Sequence, residues 1–193
     1  MPDSPSSRSL RRFRGWAAPL AAVALLSSLS WLAAGYVHAQ GWTFWYGDAE
    51  AHLNIARRLT DAREPGYEQI GTVWLPLPHL LGAPLVREDA RWFDGRRAAW
   101  PSMAGFMLGG VFLLLAVRPI FNSEAAAWSA LSVYALNPNL LYLQSAPMTE
   151  PLFFAWFLGL LWLRAWHAGS GRWAPAAGAG GAALLGSLTR YEG

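Results

Sequence analysis

Long apolar runs separated by short polar segments make up most of the chain, and a single 60-residue polar stretch, 38–97, interrupts them. Between Arg14 and His38 lie 23 residues without a charge. At 1.5 Å per residue, about 20 apolar residues cross a hydrocarbon core about 30 Å thick. The pattern therefore predicts a polar tail at 1–14 and a membrane-spanning helix at 15–37. Further runs at 98–117 (bracketed by Arg97 and Arg118), 125–149, 150–168 and 173–189 predict four more spans. The third includes Asn137-Pro138-Asn139, where a helix should end or kink because proline lacks a donor and disfavours helix at the residue before it. Arg164 near the end of the fourth is long enough to snorkel to the head groups. Gly105, Gly109 and Gly110, then Gly178, Gly180, Gly181 and Gly186, offer small surfaces for close helix packing. Segment 73–86 has only 14 residues and three prolines, so it is placed as interfacial or re-entrant. The expected fold is all-α: a polytopic transmembrane helical bundle whose long extracytoplasmic first loop contains short amphipathic helices.

Charge changes this picture in two ways. The chain is 54% hydrophobic and 14% charged, against about 25% charge in an ordinary soluble domain. The formal net charge of +3 is concentrated in Arg8, Arg11, Arg12 and Arg14 beside the first apolar run, which suits a membrane flank and not nucleic acid. That cluster also resembles the start of a signal peptide, with Val37-His38-Ala39 as a cleavage site before Gln40. The apolar run exceeds the roughly 7–15 residues of such a peptide, so an uncleaved anchor is expected. The positive-inside bias puts the N-terminus in the cytoplasm, as in an inner-membrane protein, and the loop 38–97 outside. Alternation then brings Asp48, Glu50, Glu150, Arg190 and Glu192 to the outer face, with Arg118, Glu124, Arg164 and Arg172 inside. Charges gathered at one membrane surface mark a functional site. Zero cysteines exclude disulfides, thiolate metal sites and cysteine nucleophiles.

Residues 49–60 suit an amphipathic helix with Ala49, Leu53, Ala56 and Leu59 on one face. Asp48 would cap it, and Glu50 would sit in its first turn, where the helix dipole favours carboxylates. His52 shares a face with Asp48, either as its partner or as a solvated side chain. A divalent cation on Asp48 and Glu50, with His52 and His79 as further ligands, is the one cofactor left open, although the spacing matches no strong metal motif. Trp42, Phe44, Trp45 and Tyr46 fit an aromatic belt at the interface, and Trp45 and Tyr46 could also stack on a sugar or a lipid isoprene. Thr149-Glu150-Pro151 has the form of a helix start. Arg190 is either an interfacial anchor or a neutraliser of phosphate, for which a guanidinium fork is well suited. No Walker loop, GxGxxG, GxSxG or HExxH occurs, so soluble nucleotide chemistry has no footing.

Four segments, Tyr46-Gly47-Asp48-Ala49-Glu50, the WLPLPHLL stretch from Trp74 to Leu81, Asn137-Pro138 through Met148-Thr149-Glu150-Pro151, and Leu188-Thr189-Arg190-Tyr191-Glu192-Gly193, occur in that order. Together they resemble the N-terminal portion of a GT-C type integral-membrane glycosyltransferase, a group that includes protein O-mannosyltransferases and the aminoarabinose transferases of lipid A. The resemblance implies a longer parent chain. It also implies transfer of a sugar from a polyprenyl-phosphate donor to an acceptor hydroxyl on lipid, glycan or protein. Asp48 would be the catalytic base with Glu50 beside it, and Glu150 the second acidic residue of the site. Substrate contacts would come from Glu150, Arg190, His52, Trp45 and Tyr46. The bilayer is the expected partner and nucleic acid is not. Two other classes fit the spans alone: a transporter, which would place ionisable groups near the bilayer midplane, and a non-catalytic membrane subunit packed through its glycine-rich helices.

Overall fold

The computed structural model describes residues 5–71 and 73–191, with the backbone alone for 5–16. The side chains of Arg8, Arg11, Arg12 and Arg14, and all of Glu192, lie outside the described residues. The described chain is helical throughout, with no strand among these residues. Its main elements are α1 (Pro5–Ala39), α2 (Gly47–Asp61), α3 (Pro76–Gly82), α4 (Asp89–Asp94), α5 (Trp100–Phe121), α6 (Glu124–Ala135), α7 (Pro138–Gln144), α8 (Glu150–Ser170) and α9 (Trp173–Ser187).

Among the described residues three helices are long and apolar enough to cross a membrane: Ala17–Ala39 of α1, a stretch from Arg96 through α5 to Phe121, and α8. Two of the five runs give helices too short to span, the first of them by the break expected at Asn137. The run 125–149 breaks at Asn137, whose side-chain oxygen accepts from the amides of Asn139 and Leu140, with Pro138 starting the next helix. That leaves 12 residues in α6 and 7 in α7. α9 has 15 residues, about 22 Å of rise and short of the hydrocarbon thickness.

α5 and α8 run parallel and touch backbone to backbone. A Cβ added at Gly105 would lie 2.6 Å from the backbone of Leu152, one at Gly109 would lie 2.6 Å from the Tyr134 hydroxyl, and one at Gly159 would meet the Phe112 ring at 3.1 Å. Lack of side chains at Gly105 and Gly159 is what lets α5 and α8 approach, while Gly109 makes room for Tyr134 of α6. α1 lies antiparallel to α5. Trp31 meets Trp100 edge-on at 6.5 Å, Ser27 donates to the Met107 sulfur, and Leu26 fills the space left by Gly110. Leu26, Phe106, Leu114 and Leu131 are fully buried in the core that results. The buried polar groups inside it are paired: the Ser30 hydroxyl donates to Gln144 Oε1 at 2.6 Å, and the Gln144 amide donates to the carbonyls of Ser30 and Leu141 and to the Ser145 hydroxyl.

These directions bring the C-terminal ends of α1 and α9 and the N-terminal ends of α5 and α8 to the same end of the bundle. Two bonds at Ser102 fasten that end: its hydroxyl donates to the Met148 carbonyl and accepts from the Met148 amide at 3.1 Å. The Tyr142 hydroxyl ties α7 to the Trp42 carbonyl at 3.0 Å, and the Leu77 amide ties α3 to the Leu188 carbonyl at 3.1 Å. α2 lies over this end, with Ala49, Leu53, Ala56 and Leu59 buried as its periodicity predicts. Its other end is anchored by Arg57, which pairs with Asp61 and Asp89 and lies 5.6 Å over the Trp92 ring. At the opposite end of the bundle Arg118 pairs with Glu124.

Candidate functional site

The first turn of α8 and the end of α9 supply the charged centre. Arg190 donates to Glu150 Oε1 at 2.6 Å and to the Thr149 hydroxyl at 3.3 Å. Thr149 precedes α8 with helical backbone angles and makes no side-chain cap. Glu150 sits where the α8 dipole favours a carboxylate. Both partners are about one-quarter exposed. The other carboxylate oxygen, Oε2, is buried and has no hydrogen-bond partner among the described residues. The sequence placed Glu150 and Arg190 on one face; the structure adds that they touch.

α2 and α3 supply the neighbouring imidazoles. His52 and His79 are 5% and 1% exposed, and His52 Nδ1 lies 2.9 Å from His79 Nε2. His79 Nδ1 lies 2.9 Å from the Leu75 carbonyl. Trp74 closes over His52 at 4.5 Å between ring centroids. Burial pushes the His52 pKa down from 6.5 to about 3, and His79 and the Arg190 cation push in the same direction. Burial also lowers that of His79, which the bond to the Leu75 carbonyl opposes. Both rings are therefore neutral near pH 7. His52 is neither solvated nor bonded to Asp48, since its partner comes from the WLPLPHLL segment. A cavity of about 20 Å³, room for about one water, is lined by His52, His79, Ser102 and Thr149 among others. A second, of about 70 Å³, is bounded by Trp74, Thr149, Thr189 and Arg190.

Asp48 and Glu50 stand apart from this centre. The helix begins at Gly47, after an extended Tyr46 that makes no side-chain cap, so Asp48 is a first-turn residue and not the cap. Both carboxylates are exposed and carry no ion pair or hydrogen bond among the described residues. Between them, Ala49 is fully buried against Ala146 and Met148, which holds this turn of α2 against the segment leading into Glu150. No three His, Asp or Glu side chains among the described residues gather at a metal-binding distance. The set of Asp48, Glu50, His52 and His79 is thus not assembled: only the two imidazoles meet.

Of the four aromatics expected in a belt, Trp45 and Tyr46 are 70% and 57% exposed, while Phe44 packs into two cores beneath α2. Its ring fills the space where Gly95 lacks a side chain. Trp74, Thr149 and Thr189 were not among the expected site residues. The sequence held one clue to the region, a lone histidine in an otherwise apolar, proline-rich segment, where a buried imidazole needs a partner. No family model, curated protein or solved structure matches the chain.

Proposed function

We propose that this protein is an integral-membrane glycosyltransferase of the inner membrane. It transfers a sugar from a polyprenyl-phosphate donor to an acceptor hydroxyl on lipid, glycan or protein at the extracytoplasmic face, with its N-terminus in the cytoplasm. The observation that carries the reading is the gathering of the Glu150–Arg190 pair, the His52–His79 pair and the acidic first turn of α2 at one end of a bundle whose long helices are apolar. A sugar donor on a lipid stays in the bilayer, so its enzyme needs spans and a polar site at one surface, and no nucleotide fold.

Each group has a role that its surroundings suit. Asp48, exposed and without an ion pair among the described residues, takes the proton from the acceptor hydroxyl as that oxygen attacks the anomeric carbon and the lipid phosphate departs, help typically worth about 10²- to 10⁴-fold. Glu50 adds negative charge in the same turn of α2. Arg190 places a guanidinium, oriented by Glu150, where negative charge develops on the phosphate. Trp45 and Tyr46 offer exposed rings for stacking. A groove of about 340 Å³ opens at the same end between α1 and α5, with apolar walls from Trp31, Trp100 and Met103 and Arg96 at its rim. Those apolar walls suit a polyprenyl chain.

Asp48→Asn keeps the size and helical position of the side chain and removes the base. In a membrane preparation supplied with a polyprenyl-phosphate sugar, it should abolish transfer while protein level in the membrane stays normal. Turnover retained in that variant removes Asp48 from the mechanism.

A further inference from the structure

The groove between α1 and α5 has an ordered lining. From α1 it takes Trp31, Ala34, Gly35, His38 and Ala39, positions i, i+3, i+4, i+7 and i+8, which share one helical face. From the start of α5 and the turn before it come Arg96, Ala99, Trp100 and Met103, again three and four residues apart. The two helices run antiparallel and Trp31 meets Trp100. Antiparallel packing therefore grades the groove. The two indoles and Met103 lie on the bilayer side, the small residues Ala34, Gly35 and Ala99 in the middle, and His38 and Arg96 at the outer mouth.

Gly35 is central to the α1 face, one turn from Trp31 and one turn from Ala39, and nothing lies within 4 Å of a Cβ added to it. The space that remains, about 340 Å³, is within the roughly 300–1,000 Å³ of small-molecule sites. Trp31 and Trp100 are 60% and 41% exposed on helices apolar enough to cross a membrane, so the groove is open to lipid along its side. The polar groups at the mouth already pair with one another. Asp94 Oδ1 accepts from Arg96 at 3.0 Å and lies 3.4 Å from His38 Nε2, and His38 Nδ1 lies 3.2 Å from the Thr43 hydroxyl. A ligand gains little there by bringing a charge. What the groove offers is apolar contact along a narrow path with one wet end, which suits a single hydrocarbon chain that ends in a polar group.

We infer that Gly35 is a specificity-determining residue. The gap it leaves sets the bore of a groove that takes the single isoprenoid chain of the lipid donor from the side, excludes the paired chains of a phospholipid, and grips the chain and not the phosphate. The single-chain bore stands on the groove's geometry; the isoprenoid rests on the transferase reading.

Photolabelling of the full chain in phosphatidylcholine nanodiscs tests this without any assay of turnover. The probe is geranylgeraniol carrying a diazirine at the end of its chain, and labelled peptides are located by mass spectrometry. Labelling should concentrate within 31–39 and 96–103; labelling spread over the other helices overturns the groove. Gly35→Leu fills the gap with a side chain whose Cβ meets no neighbour, and should abolish labelling at these two segments. Gly181→Leu, at an equally open helical glycine of α9, should leave it unchanged. Labelling retained in Gly35→Leu overturns the role of Gly35. The bilayer itself supplies two-chained lipid in excess, so labelling that unlabelled geranylgeraniol fails to suppress overturns the selection against phospholipid. Geranylgeranyl phosphate should suppress labelling as well as the alcohol does, and suppression by the phosphate alone overturns a grip confined to the chain. Loss of the transferase reading would appear separately, as turnover retained in Asp48→Asn, a variant that should photolabel as the wild type does.

Discussion

Replacing Gly105 by alanine adds one methyl group where two helix backbones meet. The new Cβ would lie 2.6 Å from the Leu152 Cα and amide nitrogen and from the Pro151 carbonyl carbon. Carbon atoms rest at about 3.5–4.0 Å, so α5 and α8 must part by about 1 Å. No side chain can swing away to relieve the contact, because the atoms opposed are backbone. Overpacking of this kind costs about 1–3 kcal/mol, and the better helix propensity of alanine returns up to about 1 kcal/mol. The net expectation is a loss of about 1–2 kcal/mol. Gly180→Ala is the matched control: it is also helical, nothing lies within 4 Å of its added Cβ, and it should leave stability unchanged or slightly raised. Reversible unfolding of both variants in mixed micelles, followed by helical signal, measures the difference. Equal stability of Gly105→Ala and wild type would refute the claim that α8 is positioned by direct backbone contact with α5.

Two further results follow from the same geometry. Ser102→Ala leaves the Met148 carbonyl without its buried donor, while the Met148 amide keeps the Ala146 carbonyl at 2.7 Å, and should cost about 1–3 kcal/mol in the same unfolding assay; unchanged stability would contradict the fastening role of Ser102. Acidification should also destabilise the fold. His52 binds a proton near pH 6.5 when unfolded but only near pH 3 when folded, so the unfolded state takes up protons first and stability falls progressively as pH drops through that window. At about pH 5 the loss is on the order of 2 kcal/mol. His79 adds to it in the same direction. His52→Gln should flatten the slope of stability against pH between about 7 and 5, and an unchanged slope would show that His52 is not held neutral.

Much of the architecture is legible in local pattern. Long apolar runs give the three long helices, the Asn137-Pro138 step gives the break between α6 and α7, and the apolar period of 49–60 gives the buried face of α2. Each depends on near neighbours in sequence, where capping, proline geometry and periodicity act. Run length overstated the spans at 125–149 and 173–189, because apolar composition continues through caps and turns that end a helix, even where, as at Asn137, the break itself is legible. The site is legible only in outline. Outer-face alternation brings Glu150 and Arg190 to one end, but their contact across 40 residues depends on how α8 and α9 pack. The His52–His79 bond likewise joins elements 27 residues apart with no local signal. The glycines at 105 and 109 announced close packing without naming the helix that would fill the space.

Convergence of the chain's polar ends on one membrane face is the claim on which the site depends, and labelling tests it most directly. The chain has no cysteine, so single replacements give an unambiguous signal. Tyr46→Cys and Tyr191→Cys place thiols at exposed positions beside the site, and Phe121→Cys and Ser170→Cys place them at the opposite end of the bundle. With a membrane-impermeant maleimide on intact cells, positions 46 and 191 should react from outside, and positions 121 and 170 only after the membrane is opened. Reaction of 46 and 191 from opposite faces would contradict the shared site, and reaction of both only from inside would contradict its extracytoplasmic placement.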